Sequence, residues 1–269
     1  MDGVSTTALW VASMRAVEVR RPDRLFDDPM AGVFVTASDL DLGRMADAAK
    51  QPGSVEFVAF RTRFFDDVAV AAAADGVRQV VLPAAGLDVR AYRIGWPAGT
   101  RLFEVDLPPV FAFKEPLLAD SGLAPRCERA TVAADLRTDW TTALLAAGFA
   151  PDRPTAWIVE GLVPYLDDPA TERLLTTVTG LSAPGSRFGF DYLDPEHSQR
   201  PAVRFVTDSV RDTGVTVLFQ RNPTEVLARR GWRTSTRTAV DLTDRYHRAL
   251  PEGTDLVAMT SAVLAAAIR

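Results

Sequence analysis

From Arg78 onward, short apolar or β-branched runs recur along the chain: Gln79 to Leu82, Arg101 to Val105, Cys127 to Ala133, Thr155 to Val159 and Ser186 to Phe190. Helical patterns separate them at 107 to 120, 139 to 147 and 169 to 182. This alternation constrains the fold more than any other feature of the chain. Parallel neighbours need long crossovers, the crossovers are right-handed, and the helices then cover both faces of one sheet. The expected class is α/β, a doubly wound, mostly parallel sheet. A helix at 223 to 230, a strand from Arg233 to Val240 and an apolar run at 256 to 267 complete it as seven strands.

Ahead of this region, residues 5 to 74 read as mostly helical. "TTALWVASMRAVEVR" keeps Leu9, Met14 and Val17 near one face, and "SVEFVAFRTRFFDDVAVAAAA" is a second long helical pattern. "RRPDRLFDDPMAG" between them carries two prolines and reads as a loop. The organisation expected is a helical cap over residues 1–75 and a sheet domain over 76–269. Residues 192–221 break the rhythm and form an insertion after the fifth strand, placed to contribute to a substrate site.

Composition removes several function classes. A single cysteine, Cys127, excludes an internal disulfide and any CxxC cluster, and with only His197 and His247 no metal site is expected. A net charge of −5 argues against a nucleic-acid surface. No run of about 18 apolar residues is present, so no membrane span is expected. "MDGVSTTALW" lacks the basic start and apolar core of a signal peptide, and the chain reads as cytoplasmic.

Ligands of open parallel sheets bind beyond the carboxyl ends of the strands, where strand order reverses. Here those ends carry acids: Asp88 after the first run, Glu104 and Asp106 on the second, Asp135 after the third, Glu160 after the fourth and Asp191 after the fifth. Any one alone reads as a helix cap. Together they would repel a pyrophosphate and favour a cationic, donor-rich ligand. S-adenosylmethionine fits, with a sulfonium, an α-ammonium, a ribose diol and an adenine amino group. It has no phosphate, so the loop "LPAAGLD" needs no full G-x-G-x-x-G pattern; Gly86 suffices for close backbone approach. Glu104 and Asp106 are both candidates for the ribose, and Arg61 and Arg63 for the methionine carboxylate.

"ALWVASMRAVEVRRPDRLFDDP", "RTRFFDD", "LPAAGLDVRAYRI", "FEVDLPPVFAFK", "ADL" and "EGLVPYL" stand in the order seen in the leucine carboxyl methyltransferase and polyketide O-methyltransferase family. The chain resembles that family over about residues 6 to 232. The resemblance implies a Rossmann-like methyltransferase fold, S-adenosylmethionine as cofactor and a small-molecule acceptor. It further implies that Arg61 holds the methionine carboxylate, that Ala85 and Gly86 line the first loop, and that Asp88 and Arg90 shape it. Asp106 then takes the ribose with Leu107 beside the adenine, Asp135 and Leu136 meet the adenine, and Glu160, followed by Gly161, receives the α-ammonium. At Pro83-Ala84 the chain departs from the usual "LGAG" or "LASG", losing a backbone donor and a glycine.

An in-line displacement at a sulfonium asks the protein mainly to align the reactants in a site with little water. A carboxylate acceptor of a polyketide or aromatic intermediate needs no base. A phenol does, and His197 is then the candidate base. Tyr165 is a further candidate for contact with the acceptor, and Arg15, Arg20 and Arg21 could receive an acidic one or simply be solvated charge. Among Trp10, Phe26, Phe34, Phe57, Phe60, Phe64 and Phe65, some could hold a flat acceptor while the rest pack inward. A nicotinamide-dependent oxidoreductase and an inactive cofactor-binding protein are the alternative classes; the first lacks the glycine fingerprint.

Overall fold

The computed structural model describes residues 6–38 and 44–269. Residues 39–43 lie outside the described residues, as do residues 1–5, where the stretch read for a signal sequence begins. The strands are β1 (Gln79–Pro83), β2 (Arg101–Asp106), β3 (Glu128–Ala133), β4 (Thr155–Val159), β5 (Arg187–Leu193), β6 (Arg233–Arg237) and β7 (Ala262–Ile268). They form one sheet in the order β3-β2-β1-β4-β5-β7-β6. β1 to β5 are mutually parallel, and β7 runs antiparallel to both β5 and β6. The doubly wound α/β class read from the alternation is the class observed.

The helices are α1 (Thr6–Val19), α2 (Ala31–Thr36), α3 (Arg44–Ala49), α4 (Ser54–Ala74), α5 (Arg90–Arg93), α6 (Pro108–Asp120), α7 (Trp140–Ala146), α8 (Asp168–Gly180), α9 (Pro201–Arg211), α10 (Pro223–Arg229) and α11 (Ala239–Arg245). The central strands are buried on both faces, and their side chains alternate between two cores. Val80 and Leu82 join Phe60, Phe65, Leu102 and Ile158 on one face, while Val81 joins Phe103, Trp157, Val159 and Phe188 on the other. Gly189 of β5 keeps the first face close: a Cβ there would lie 3.0 Å from the Phe65 ring. α4 therefore packs directly on β4 and β5.

Three boundaries differ from the sequence reading. The fifth run extends to Leu193, because its far half pairs with β7 (Tyr192 opposite Val263, Leu193 opposite Ala262). Asp191 thus sits within the strand, and the insertion begins at Asp194. The run from Arg233 ends at Arg237, where a capping box between Thr238 and Asp241 starts α11. Within the apolar run, residues 256–260 turn through a short 3-10 segment before β7 begins at Ala262. Among the described residues no helix is long and apolar enough to cross a membrane, and no cluster of three or more His, Cys, Asp and Glu could hold a metal ion.

Candidate active site

Strand order reverses between β1 and β4, and the loops following these strands open a cleft there. β1 ends at Pro83, after which Ala84 takes a left-handed conformation (φ 54°) and Gly86 does the same (φ 49°). Ala84 tolerates with some strain what a glycine adopts freely. At Gly86 it is this positive φ that favours glycine, since a Cβ there would meet that of Ala8 at an ordinary contact distance of 3.9 Å. The loop is tied to the second strand by Asp106, whose carboxylate accepts the Gly86 N–H at 2.6 Å and the Leu107 N–H at 2.7 Å. Burial pushes the Asp106 carboxyl up against the pull of those two donors, leaving it above the ordinary aspartate value.

Beneath the loop lies a buried charge network centred on Arg90, which is 1% exposed. Its Nε donates to Asp66 of α4 at 2.7 Å, its Nη1 to Asp88, and its Nη2 to Glu160 at 2.7 Å. Asp88 and Arg90 are thus bonded to each other, and Asp88 also accepts the Arg90 backbone N–H at 2.6 Å. One guanidinium so fixes the cap helix, the first loop and the end of β4. Arg61 completes the network, donating from Nε to Glu160 at 3.2 Å and from Nη1 to Asp191 at 3.4 Å. Burial raises the Glu160 carboxyl, but the charges of Arg90, Arg61 and Arg15 outweigh it and the net shift is downward. Asp191 is 3% exposed; burial dominates there and its carboxyl is raised.

A cavity of about 280 Å³ opens onto these groups. Arg61, Ala85, Gly86, Asp88, Asp106, Leu107, Glu160 and Gly161 all line it. Asp135 and Leu136 do not. β3 is an edge strand, and the Asp135 carboxylate is held by the Arg137 backbone N–H at 2.9 Å and its guanidinium at 2.6 Å. Glu104 is removed as a ribose candidate because it is fully buried between Lys114 at 2.7 Å and Arg129 at 2.8 Å. Arg63 pairs with Asp67 at 2.8 Å, away from the cavity. Thr7 and Val11 of α1 line the cavity unforeseen, and Arg15, read as a group that could receive an acidic acceptor, lines it beside them. Their i, i+4, i+8 spacing marks one helix face, a signal already present in the sequence. Arg15 is engaged, donating to the Leu87 carbonyl at 3.0 Å and facing Asp28 at 3.4 Å.

A second cavity of about 230 Å³ adjoins the first, and Arg61 and Tyr165 line both. Burial raises the Tyr165 hydroxyl against the lowering effect of Arg61. The walls of this chamber come mainly from the insertion helix α9 with Val203, Val206 and Val210, from Met259, and from the aromatic rings of Trp10 and Phe57. Phe26, Phe34, Phe60, Phe64 and Phe65 are packed in the interior instead. His197, on a 3-10 turn between β5 and α9, lines neither cavity. Arg20 is exposed at the end of α1 beside a separate groove that includes Val33 and Ala37.

The family model of the leucine carboxyl methyltransferases matches residues 8–179, a span that contains α1, the Gly86 loop, Asp106 and Glu160. The chain belongs to this family. A Mycolicibacterium smegmatis relative, provisionally named an S-adenosyl-L-methionine-dependent methyltransferase, is 43% identical over 276 aligned positions, covering 93% of this chain and 90% of the relative. A Parafrankia relative of the same provisional name is 54% identical over 197 positions, covering 70% of this chain and 63% of the relative. In structure the leucine carboxyl methyltransferase fold seen here is similar to that of a Thermobifida fusca protein provisionally named a methyltransferase (TM-score 0.63, 16% identity, 96% of this chain and 94% of that one). A DUF574 family protein from Streptomyces avermitilis gives TM-score 0.62 at 16% identity, covering 96% of each chain. The Rossmann-like methyltransferase architecture implied by the sequence motifs is thus the architecture this family member has.

Proposed function

We propose that this methyltransferase moves the methyl group of S-adenosylmethionine to an oxygen of an apolar small molecule, a carboxylate of the aromatic or polyketide type, held in the second chamber. Its cofactor is S-adenosylmethionine. The observation that carries the proposal is the shared wall: Arg61 and Tyr165 face both a carboxylate-rich cavity and an apolar one. The first cavity suits the cofactor's chemistry. Glu160 matches an ammonium, Arg61 a carboxylate and Asp106 a vicinal diol, while Leu107 and Val110 offer an apolar surface to the adenine. When bound, the cofactor supplies an electrophilic methyl on a sulfonium.

The chain's own residues then do three things. Gly86, Asp106 and Glu160 fix the donor's position relative to the shared wall, so that the displacement is in line. The apolar chamber excludes water and favours a step in which an anion and a cation neutralise each other. Arg61 and Tyr165 present a guanidinium and a phenol where the acceptor oxygen meets the wall.

A second reading, a hydroxyl acceptor, is favoured by Asp191. Its carboxylate lines the acceptor chamber, is raised by burial, and so is better poised as a base than an ordinary aspartate. Single-turnover rates separate the two. For a carboxylate the chemical step is expected to be flat from about pH 6 to 8.5, unchanged in His197→Ala, with a product ester cleaved by mild alkali. A rate that climbs with pH and an alkali-stable ether establish the hydroxyl reading instead.

A further inference from the structure

Among the described residues the buried serines are Ser182, Ser186, Ser209 and Ser261. The first three spend their hydroxyls on the backbone, donating to the carbonyls of Val178 at 2.6 Å, Ala183 at 2.6 Å and Phe205 at 2.7 Å. Ser261 does not. Its backbone is engaged, the N–H donating to the Ala258 carbonyl at 3.0 Å and the carbonyl accepting the Asp194 N–H at 2.8 Å. Its hydroxyl, however, meets no hydrogen-bond partner among the described residues and is not covered by other atoms. The residue is 6% exposed and lines the apolar chamber, so the surface it keeps is turned to that chamber. Buried hydroxyls are nearly always paired, because an unpaired one forfeits its hydration without return.

The other polar side chains around the chamber are committed. Ser54 donates to the Ala48 carbonyl at 2.8 Å and Thr207 to the Arg204 carbonyl at 3.2 Å. Asp255 is paired with Arg200 at 2.9 Å and accepts the Ala258 N–H at 3.0 Å. Asp191 accepts the Gly161 N–H at 2.6 Å and faces Arg61. The Trp10 indole N–H also lacks an acceptor, but surrounding atoms cover it, and Gln51 is open to solvent. Ser261 is therefore the buried group with hydrogen-bonding capacity to offer. Its place relative to Arg61 follows from the sheet register: Asp191, which faces Arg61, stands opposite Leu264, and Ser261 lies three residues before Leu264, roughly 10 Å along the strand direction.

Building on the methyl-transfer reading, we propose that Ser261 determines which acceptors this enzyme takes: its hydroxyl binds a second, uncharged oxygen function of the acceptor, a hydroxyl or a ketone, several carbons away from the oxygen that receives the methyl. The second function is uncharged because one neutral hydroxyl among Val203, Val206 and Met259 does not offset the desolvation of an ion. The discrimination is two-sided. An acceptor with its oxygen at the right place gains a hydrogen bond, and one with the oxygen elsewhere buries it against apolar wall and leaves Ser261 unpaired as well.

The test is calorimetric titration of decanoic acid and of its hydroxy and oxo derivatives, substituted at each of carbons five to nine, into protein saturated with sinefungin. One position, or two adjacent ones, is expected to bind at least tenfold more tightly than the remaining positions. Ser261→Ala is expected to abolish that preference while the affinities for decanoic acid and for sinefungin stay within twofold of the parent. Its melting temperature should be unchanged, because the hydroxyl holds no protein group. Ser261→Thr, which restores a hydroxyl, is expected to restore the preference. A preference among the oxo acids would make Ser261 the donor, and one confined to the hydroxy acids would make it the acceptor; either sustains the proposal. A parent protein without positional preference, a preference that survives in Ser261→Ala, or binding of no acid in the set would overturn it. Failure of the parent to bind sinefungin would overturn the methyl-transfer reading itself.

Discussion

Arg90→Met is expected to destabilise the fold by about 3–5 kcal/mol, the cost of leaving a buried charge cluster without its partner. Three carboxylates, from Asp66, Asp88 and Glu160, converge on a side chain that is 1% exposed. Methionine fills the volume but satisfies none of them. Against a total stability of about 5–15 kcal/mol, this is a large share. The pH dependence identifies the cause. In the parent protein Asp88 and Glu160 are held below their ordinary values, because the neighbouring arginines outweigh burial. Their contribution is therefore present above the ordinary carboxylate range and lost as pH falls through the depressed values. Without Arg90, burial prevails, the carboxyls shift upward, and stability is expected to increase as pH is lowered from neutrality toward the carboxylate range. Urea unfolding at several pH values measures both effects. A loss under 1 kcal/mol, or a pH slope of unchanged sign, would show that the cluster does not depend on this guanidinium.

Asp106→Ala is expected to weaken binding of S-adenosylhomocysteine at least tenfold. A hydrogen bond to a charged acceptor is worth about 1.5–3 kcal/mol, and the ribose has two hydroxyls to place. The substitution also frees the Gly86 N–H, which Asp106 accepts at 2.6 Å, so the loop loses its tie to β2. Asp106→Asn keeps an acceptor and separates the two effects by pH. Because burial raises the Asp106 carboxyl, affinity in the parent should begin to fall on acidification at a higher pH than an ordinary aspartate would cause. In the asparagine variant that component should vanish. Calorimetry from neutral to mildly acidic pH provides the comparison. Parent-like affinity in Asp106→Ala would restrict the residue to holding the loop.

Most of the lining of the first cavity was legible because its residues follow strands, and strand ends are fixed by short apolar runs that end in an acid or a glycine. Glu160 after "AWIV" and Asp106 at the end of "RLFEVD" are such cases. What a strand cannot reveal is which acid has been claimed by a distant cation. Glu104 and Asp106 share a face by alternation, yet Lys114 and Arg129, from the next helix and strand, take only the first. Asp135 was lost to a residue two positions away, through a local turn that competes with any ligand. Asp191 reads as a strand-end acid in the sequence because the pairing of β5 with β7, which extends the strand, joins residues 69 to 73 positions apart. The second, apolar chamber was the least legible part. It is assembled from α1, α4, α9 and the loop before β7, and only their packing shows that Trp10 and Phe57 face it while His197 does not.

The most direct measurement is titration of the parent protein with S-adenosylhomocysteine and, in parallel, with NAD. Carboxylates from Asp88, Asp106 and Glu160 line the cavity where a pyrophosphate would have to lie, and the loop there has only one glycine. The expected result is saturable, one-to-one binding of S-adenosylhomocysteine and no heat from NAD at the same concentrations. Tight binding of NAD with no response to S-adenosylhomocysteine would contradict the assignment of this cavity to S-adenosylmethionine.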